Sequence, residues 1–288
     1  MRIAVTGGSG KLGRSVVTAL VEAGHDVTTL DRALSPGAAR GPGYVEVDVT
    51  DYGQVADALS GVEERYDGLD ALVHLAAIPA PGLAPDATTF HNNMLATFNV
   101  FHAARRAGIR RIVYASSETI LGIPFDVPPP YIPIDEEYPA RPESTYALVK
   151  HLEEQLAIEL VRWDPELSIT ALRFSNVMDQ ADYAAFPGFD ADATLRKWNL
   201  WAYIDGRDGA QAVLRSLERR GPGFEAMIIA AADTVMSRSS ADLAAATFPG
   251  VEVRKDLGQH ETLLSIDKAR RLIGFDPQHT WRDTIGLE

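Results

Sequence analysis

The sequence predicts an α/β fold, a doubly wound and mainly parallel sheet carrying a small C-terminal cap. Three observations point there. Short apolar runs alternate with longer helical patterns through the first half of the chain, and a glycine-rich turn follows the first of those runs directly. After residue 174 the rhythm gives way to an irregular, aromatic stretch.

In chain order, "RIAVT" (2–6) reads as a buried strand, "KLGRSVVTALVEAG" (11–24) as a helix closed by Gly24, and "DVTTLD" (26–31) as the next strand. "YVEVD" (44–48), "ALVHLA" (71–76) and "RIVYAS" (111–116) continue the strand series, with "DYGQVADALSG" and the segment from Asn92 to Gly108 as helices between them. Met94, Phe98 and Phe101 in the latter are spaced as a buried stripe. "SITALRF" (168–174) is a further strand, followed by a helix near 207–219, a strand near 225–231 and a helix at 265–273. This divides the chain into a larger α/β unit, 1–174 with 205–232, and a smaller cap, 175–204 with 233–288. Two proline-rich stretches, 78–86 and 122–142, follow the carboxyl ends of predicted strands, the edge where open α/β sheets bind ligands. A 21-residue loop such as the second is expected to be functional.

Composition narrows the chemistry. The chain has 288 residues, 46% of them apolar and 23% charged, as in ordinary globular proteins. With 27 Lys and Arg against 40 Asp and Glu, the net charge of −13 argues against nucleic acid or an anionic membrane as partner. The absence of cysteine excludes disulfides, thiolate nucleophiles and cysteine-ligated metals, and the seven histidines lack metal-ligand spacing, so no dedicated metal site is expected. No apolar run reaches spanning length and no signal peptide is evident, so a cytoplasmic protein is expected.

"TGGSGKLG" places Gly7, Gly10 and Gly13 three residues apart between a predicted strand and a predicted helix. Glycines there permit a tight turn and let backbone amides approach a pyrophosphate at the helix N-terminus. Asp31 ends the second strand, where a carboxylate accepts hydrogen bonds from an adenosine ribose and repels a 2′-phosphate, favouring NAD over NADP. Arg32 and Arg40 lie near enough in sequence to serve a 2′-phosphate instead. Asp48 either contacts the adenine amino group or acts as a turn acid.

In "ESTYALVK" (143–150), Tyr146 and Lys150 share a helical face. An ammonium beside a phenol stabilises phenolate, which suits the pair to exchanging a proton with a substrate hydroxyl. The spacing alone does not separate a reacting pair from two residues on one face.

Taken together, the glycine turn, "VHLAA" (73–77), "NNMLATFNV" (92–100), "RIVYASS" (111–117), "YALVK" (146–150), "LRFSNV" (172–177), "YIDGRD" (203–208) and "LIGFDP" (272–277) resemble the extended short-chain dehydrogenase/reductase superfamily, in particular its NAD-dependent epimerase/dehydratase family. The resemblance implies a Rossmann fold, NAD as cofactor with NADP as the alternative, a catalytic set of Ser117, Tyr146 and Lys150, and a homodimer built from the helices at 92–107 and 144–163. Val149, Leu152, Leu156 and Leu160 form an apolar stripe on the second helix, suited to a partner or to the sheet.

Carried onto this chain, the family's cofactor cradle falls on Gly7, Gly10, Lys11, Leu12, Gly13, Asp31, Arg32, Asp48, Val49, Leu75, Ala76, Ala77 and Asn93, joined by Tyr146 and Lys150. Its substrate contacts fall on Ser117, Glu118, Thr119 and Asn176. Ser117 rather than Ser116 matches the active hydroxyl. Asn93 matches the family's helix asparagine, which supports the backbone near the site; His74 reads as a packed residue rather than a catalyst, and Glu154 either is placed as in the family or is a solvated or interface glutamate.

The chain also departs from the family. Dehydratases carry an Asp-Glu pair after the active hydroxyl, whereas this chain has Glu118 and Thr119, which makes dehydration doubtful. Asp179, Asp182, Asp190 and Asp192 suit a nucleotide diphosphate poorly. "SSETILG" and "PARPESTYALVK" are also similar to uronate dehydrogenases, yet no arginine lies between Arg173 and Arg196 to take a sugar carboxylate. The reading is an NAD-dependent oxidoreductase of a secondary alcohol in a sugar or polyol, with a net dehydrogenase favoured by the short cap. A nucleotide-sugar epimerase that retains NAD is the alternative, and a non-catalytic NAD-binding regulatory protein is a reading of another class.

Overall fold

The computed structural model describes residues 1–33, 43–60 and 68–285. Its elements in order are β1 (Arg2–Thr6), α1 (Lys11–Glu22), β2 (Asp26–Asp31), β3 (Tyr44–Glu46), α2 (Tyr52–Ser60), β4 (Ala71–His74), α3 (Asp86–Arg106), β5 (Arg111–Ser117) and β6 (Tyr131–Ile132). Then follow α4 (Thr145–Trp163), β7 (Ser168–Phe174), β8 (Val177–Met178), α5 (Phe186–Ala191), α6 (Thr194–Lys197), β9 (Ile204–Asp205), α7 (Gly206–Leu217), β10 (Gly223–Ile229), α8 (Ser240–Thr247), β11 (Glu252–Val253), α9 (Asp267–Ile273) and α10 (Trp281–Ile285).

Seven strands form one parallel sheet in the order β3-β2-β1-β4-β5-β7-β10. The order reverses between β1 and β4, so the loops leaving those two strands diverge and open a crevice at their carboxyl ends. Val16 and Leu20 of α1 and Ala210 and Val213 of α7 cover one face of the sheet, and Val55, Val100, Phe101, Ala157 and Leu160 of α2, α3 and α4 cover the other. Because strands buried on both faces need no polar alternation, β4 is apolar throughout except for His74.

Most predicted elements appear within a few residues of the expected bounds. β3 is shorter, because from Asp48 the backbone turns: the Asp48 carboxylate accepts hydrogen bonds from the Thr50 amide (2.9 Å) and hydroxyl (2.7 Å). Helix α3 starts six residues earlier than expected, immediately after Pro85. Its inner face is not the Met94, Phe98, Phe101 stripe: Phe98 is 44% exposed, while Asn93, Ala96, Thr97, Val100, Phe101 and Ala104 are buried.

The proline-rich loop 122–142 contributes to a second small sheet. Its β6 pairs with β11, and Ile134 bridges Leu264, so Tyr131, Ile132 and Ile134 bury against the C-terminal segment. A third pair joins β8 to β9. Beside it Phe186 is enclosed by Tyr183, Phe189, Tyr203 and Trp281, with ring centroids 5.2, 5.7, 5.3 and 5.5 Å away. This aromatic cluster is continuous with the core on the α1/α7 face of the sheet.

Candidate active site

A cavity of about 580 Å³ lies at the reversal of strand order. The glycine turn forms one wall. Gly7 has φ +71°, and a Cβ there would meet the Ala76 amide at 2.6 Å; a Cβ on Gly13 would lie 2.2 Å from the Gly7 carbonyl. The turn is therefore folded against itself and against the loop after β4, and side chains are excluded from it. No side chain caps the first turn of α1, which leaves the cradle open to an anion. Residues and shape fit a dinucleotide pyrophosphate.

Asp31, at the end of β2, lines the same cavity, its carboxylate accepting the Ser9 amide at 3.1 Å and the Arg32 amide at 2.8 Å. Arg32 also lines it, whereas Arg40 lies outside the described residues. Lys11, Leu12, Val49, Leu75, Ala76 and Ala77 complete this part of the wall as expected. The Lys11 ammonium is already engaged: it donates to Asp182, so the glycine turn is tied to the segment beyond β8.

Asp48 and Asn93 are not on the cavity wall; Asn93 supports the backbone beside it, as the resemblance implied. Asp48 uses its Oδ1 in the turn described above, as a turn acid does. Asn93, buried on α3, accepts the Ile78 amide at 2.8 Å and donates to the Ile78 carbonyl at 3.0 Å, so it fixes the loop whose Pro79, Ala80 and Pro81 face the cavity. Asn99 does the same on the other side, donating to the Val49 and Thr50 carbonyls at 3.2 and 2.9 Å. Asn99 was not anticipated; a second asparagine six residues after Asn93 on the same helix was the available signal.

At the other end, Ser117, Glu118, Thr119, Tyr146, Lys150 and Asn176 converge on the cavity from β5, α4 and the end of β7. Helix α4 can start there because Ser144 caps it, accepting the Ala147 amide at 3.1 Å. Ser117 combines both roles open to a serine at a strand end: its Oγ accepts the Thr119 amide (3.2 Å) and hydroxyl (3.0 Å), and it lines the cavity. Ser116 is committed elsewhere, donating to Glu154 at 2.7 Å. Glu154 is neither solvated nor at a surface: Arg173 grips it through Nε at 2.9 Å and Nη2 at 2.7 Å, deep under the site.

The Lys150 ammonium lies 5.9 Å from the centroid of the Tyr146 ring and donates to the Ala115 carbonyl and to Glu153, each at 2.9 Å. An ammonium has three donors, so one remains. Burial pushes the Tyr146 phenol above its ordinary range; Lys150 and the Ser117 hydroxyl pull it down, and the net direction is upward. The expected lowering by Lys150 is thus present but outweighed. Lys150 is itself shifted upward, because Glu153 and Tyr146 outweigh the cost of its burial. His74 is a packed residue, its ring held between the Thr6 and Thr97 hydroxyls at 2.7 and 3.1 Å and pushed down to about 3 by burial.

Burial pushes the Glu118 carboxyl up to about 7, with the Asn199 amide donating to it at 3.2 Å. Asn176 faces the cavity, while its Oδ1 accepts from Arg196 at 2.9 Å. Arg196 donates through Nη1 to Asn176 and through Nη2 to the Ala202 carbonyl and stacks on Trp198, while its buried Nε has no partner among the described residues. The four aspartates of 179–192 do not reach the cavity: Asp182 holds Lys11, Asp179 lies 4.0 Å from Arg14, Asp190 accepts the Ser237 amide and Asp192 accepts from Thr194. Among the described residues, the basic side chains on the wall are Lys11, Arg32 and Lys150.

A parallel sheet in this order, a glycine cradle at its reversal and a Ser/Tyr/Lys set on the facing wall define a dinucleotide-dependent enzyme class. The model of the NAD dependent epimerase/dehydratase family matches residues 3–230, and the chain belongs to that family. A UDP-glucose 4-epimerase of Bacillus subtilis (strain 168) is 28% identical over 188 residues, covering 61% of this chain and 52% of that protein. An L-arabinose 1-dehydrogenase (NAD(P)(+)) of Haloferax volcanii is 37% identical over 163 residues, covering 54% of this chain and 59% of that protein. The chain thus spans about half the length of the curated relatives it matches. A mutated uronate dehydrogenase shares the fold, with a TM-score of 0.68 and 22% identity over 100% of this chain and 86% of that one. Among the described residues no helix is long and apolar enough to cross a membrane.

Proposed function

We propose that this protein is an NAD-dependent oxidoreductase acting on a secondary alcohol of an uncharged sugar or polyol, and that it works as a net dehydrogenase. The observation that carries the reading is the placement of Ser117, Tyr146 and Lys150 on the wall of the same cavity as the glycine cradle and Asp31. Gly7, Gly10, Leu12 and Gly13 would hold the pyrophosphate, Asp31 the adenosine ribose, and the free donor of Lys150 the nicotinamide ribose. When bound, the nicotinamide supplies the hydride acceptor.

The protein's own work is positional and protonic. Ser117 donates to the substrate oxygen, and Tyr146 takes the hydroxyl proton during oxidation and returns it during reduction. The upward shift of Tyr146 keeps it protonated at neutral pH, so reduction runs there while oxidation gains from alkaline pH. An uncharged substrate is supported by both terminal nitrogens of Arg196 donating inside the protein and by the acidic Glu118 beside Ser117. We take 175–204 with 233–288 as the substrate-binding region, and exposed Leu95, Phe98 and Leu148 on α3 and α4 as part of a homodimer face.

Turnover of free sugars, uronates, polyols and nucleotide sugars, each with NAD and with NADP, tests the reading. Net NADH formation from neutral sugars or polyols is expected. The epimerase reading, favoured by the Bacillus relative, predicts interconversion of nucleotide sugars on retained NAD without net reduction.

A further inference from the structure

Glu153 is fully buried on α4, one turn beyond Lys150, and its Oε2 accepts from the Lys150 ammonium at 2.9 Å. A carboxylate inside a protein is costly unless it is paired, and nothing in helix packing asks for one here: Ala157, four residues on, and Val149, four residues back, are apolar and fully buried. The ammonium is also anchored by the Ala115 carbonyl, so the two acceptors fix its position below the phenol.

We propose that Glu153 is a positioning residue for proton transfer at Tyr146: its carboxylate fixes the Lys150 ammonium under the ring and opposes the charge that ammonium places on the phenol. The proposal rests on the Tyr146/Lys150 reading above and adds a residue to it. With Lys150 alone, the phenol would feel an uncompensated cation; with Glu153 beside it, the pair is a dipole whose influence falls off faster with distance. The enzyme thereby keeps Tyr146 a proton donor near neutrality.

The surrounding groups leave this assignment to Glu153. Glu154, from the same helix, is matched by Arg173 of β7. His74 of β4 is held neutral by burial, and Thr97 of α3 is uncharged and opposes the upward shift of Glu153. Tyr114 of β5 is shifted well upward by burial and stays neutral. Glu118, in the turn after β5, also acts on Tyr146, and its own step near 7 is separable by pH.

The test is the ultraviolet difference titration of tyrosinate in the full chain with NAD added, comparing the protein with its Tyr146→Phe variant to isolate one of nine tyrosines. In Glu153→Gln, which keeps shape and contact but removes the charge, the Tyr146 step should fall by about one pH unit. The alkaline limb of oxidation should move with it. An unchanged Tyr146 step in folded Glu153→Gln overturns the proposal. Should that variant fail to fold, 15N spectra of the five lysines of the unaltered protein decide, with Lys150→Arg for assignment. Lys150 still an ammonium when the other four have titrated supports the pairing, and Lys150 neutral by about pH 9 overturns it. Neither readout needs turnover, so failure of the proposal is distinct from failure of the oxidoreductase reading.

Discussion

Arg173 holds both carboxylate oxygens of Glu154, at 2.9 and 2.7 Å, in a buried fork that also receives the Ser116 hydroxyl. The fork joins α4, which carries Tyr146, to β5, which carries Ser117, through β7. It lies under the site without touching the chemistry proposed there.

Removing one partner of such a pair strands a charge. Glu154→Ala is expected to lose about 3 to 5 kcal/mol of unfolding free energy in chemical denaturation. The exposed pair Arg141 and Glu143, although close at 2.7 Å, should yield under about 1 kcal/mol when Glu143→Ala is made. Equal losses in the two variants would contradict the assignment of the buried fork as structural.

Cofactor choice turns on Asp31. Asp31→Ser should lower kcat/KM with NAD about tenfold or more, as expected for losing hydrogen bonds to a charged acceptor, and raise the relative use of NADP through Arg32. Steady-state kinetics with both cofactors measure this. A NAD preference undiminished in Asp31→Ser would remove Asp31 from the ribose site.

Glu118 gives a stability signature. Its folded carboxyl is pushed up by burial from 4.5 to about 7, so the unfolded chain releases its proton more readily. The folded state is thus penalised increasingly as pH rises from 4.5 to about 7, and the penalty is fully present above that window. Glu118→Gln should therefore gain Tm over the unaltered protein at pH 8 relative to pH 5. A difference in Tm that does not vary with pH would place the carboxyl in water.

Association is tested on α3. Phe98 and Leu95 are 44% and 47% exposed, so Phe98→Glu should leave the fold intact and shift sedimentation from twice 31.3 kDa to the single-chain mass. A chain that sediments as a monomer before substitution contradicts the dimer.

The sheet was legible because strands buried on both faces read as apolar runs, and β1 and β7 fell on their expected residues. The glycine turn was equally legible, since at Gly7 and Gly13 its spacing reflects approaches below 3 Å that no side chain survives. Helix α3 misled through Phe98, where spacing cannot say which side of a helix meets the sheet. The pairing of the 122–142 loop with β11 was not legible, because the two strands lie 121 residues apart, a pairing local pattern does not carry. Within the site, residue types were legible but their net electrostatics were not. The direction of the Tyr146 shift depends on burial and on Glu153, neither of which the Tyr/Lys spacing contains.

The central claim is that Tyr146 exchanges the substrate proton in a cavity it shares with the cofactor cradle. The direct measurement is turnover of Tyr146→Phe on whichever substrate of the screen reduces NAD, alongside NAD binding and thermal unfolding of the same preparation. The account predicts a loss of kcat of about a hundredfold or more with NAD affinity and Tm nearly unchanged. Undiminished kcat in that variant would contradict it.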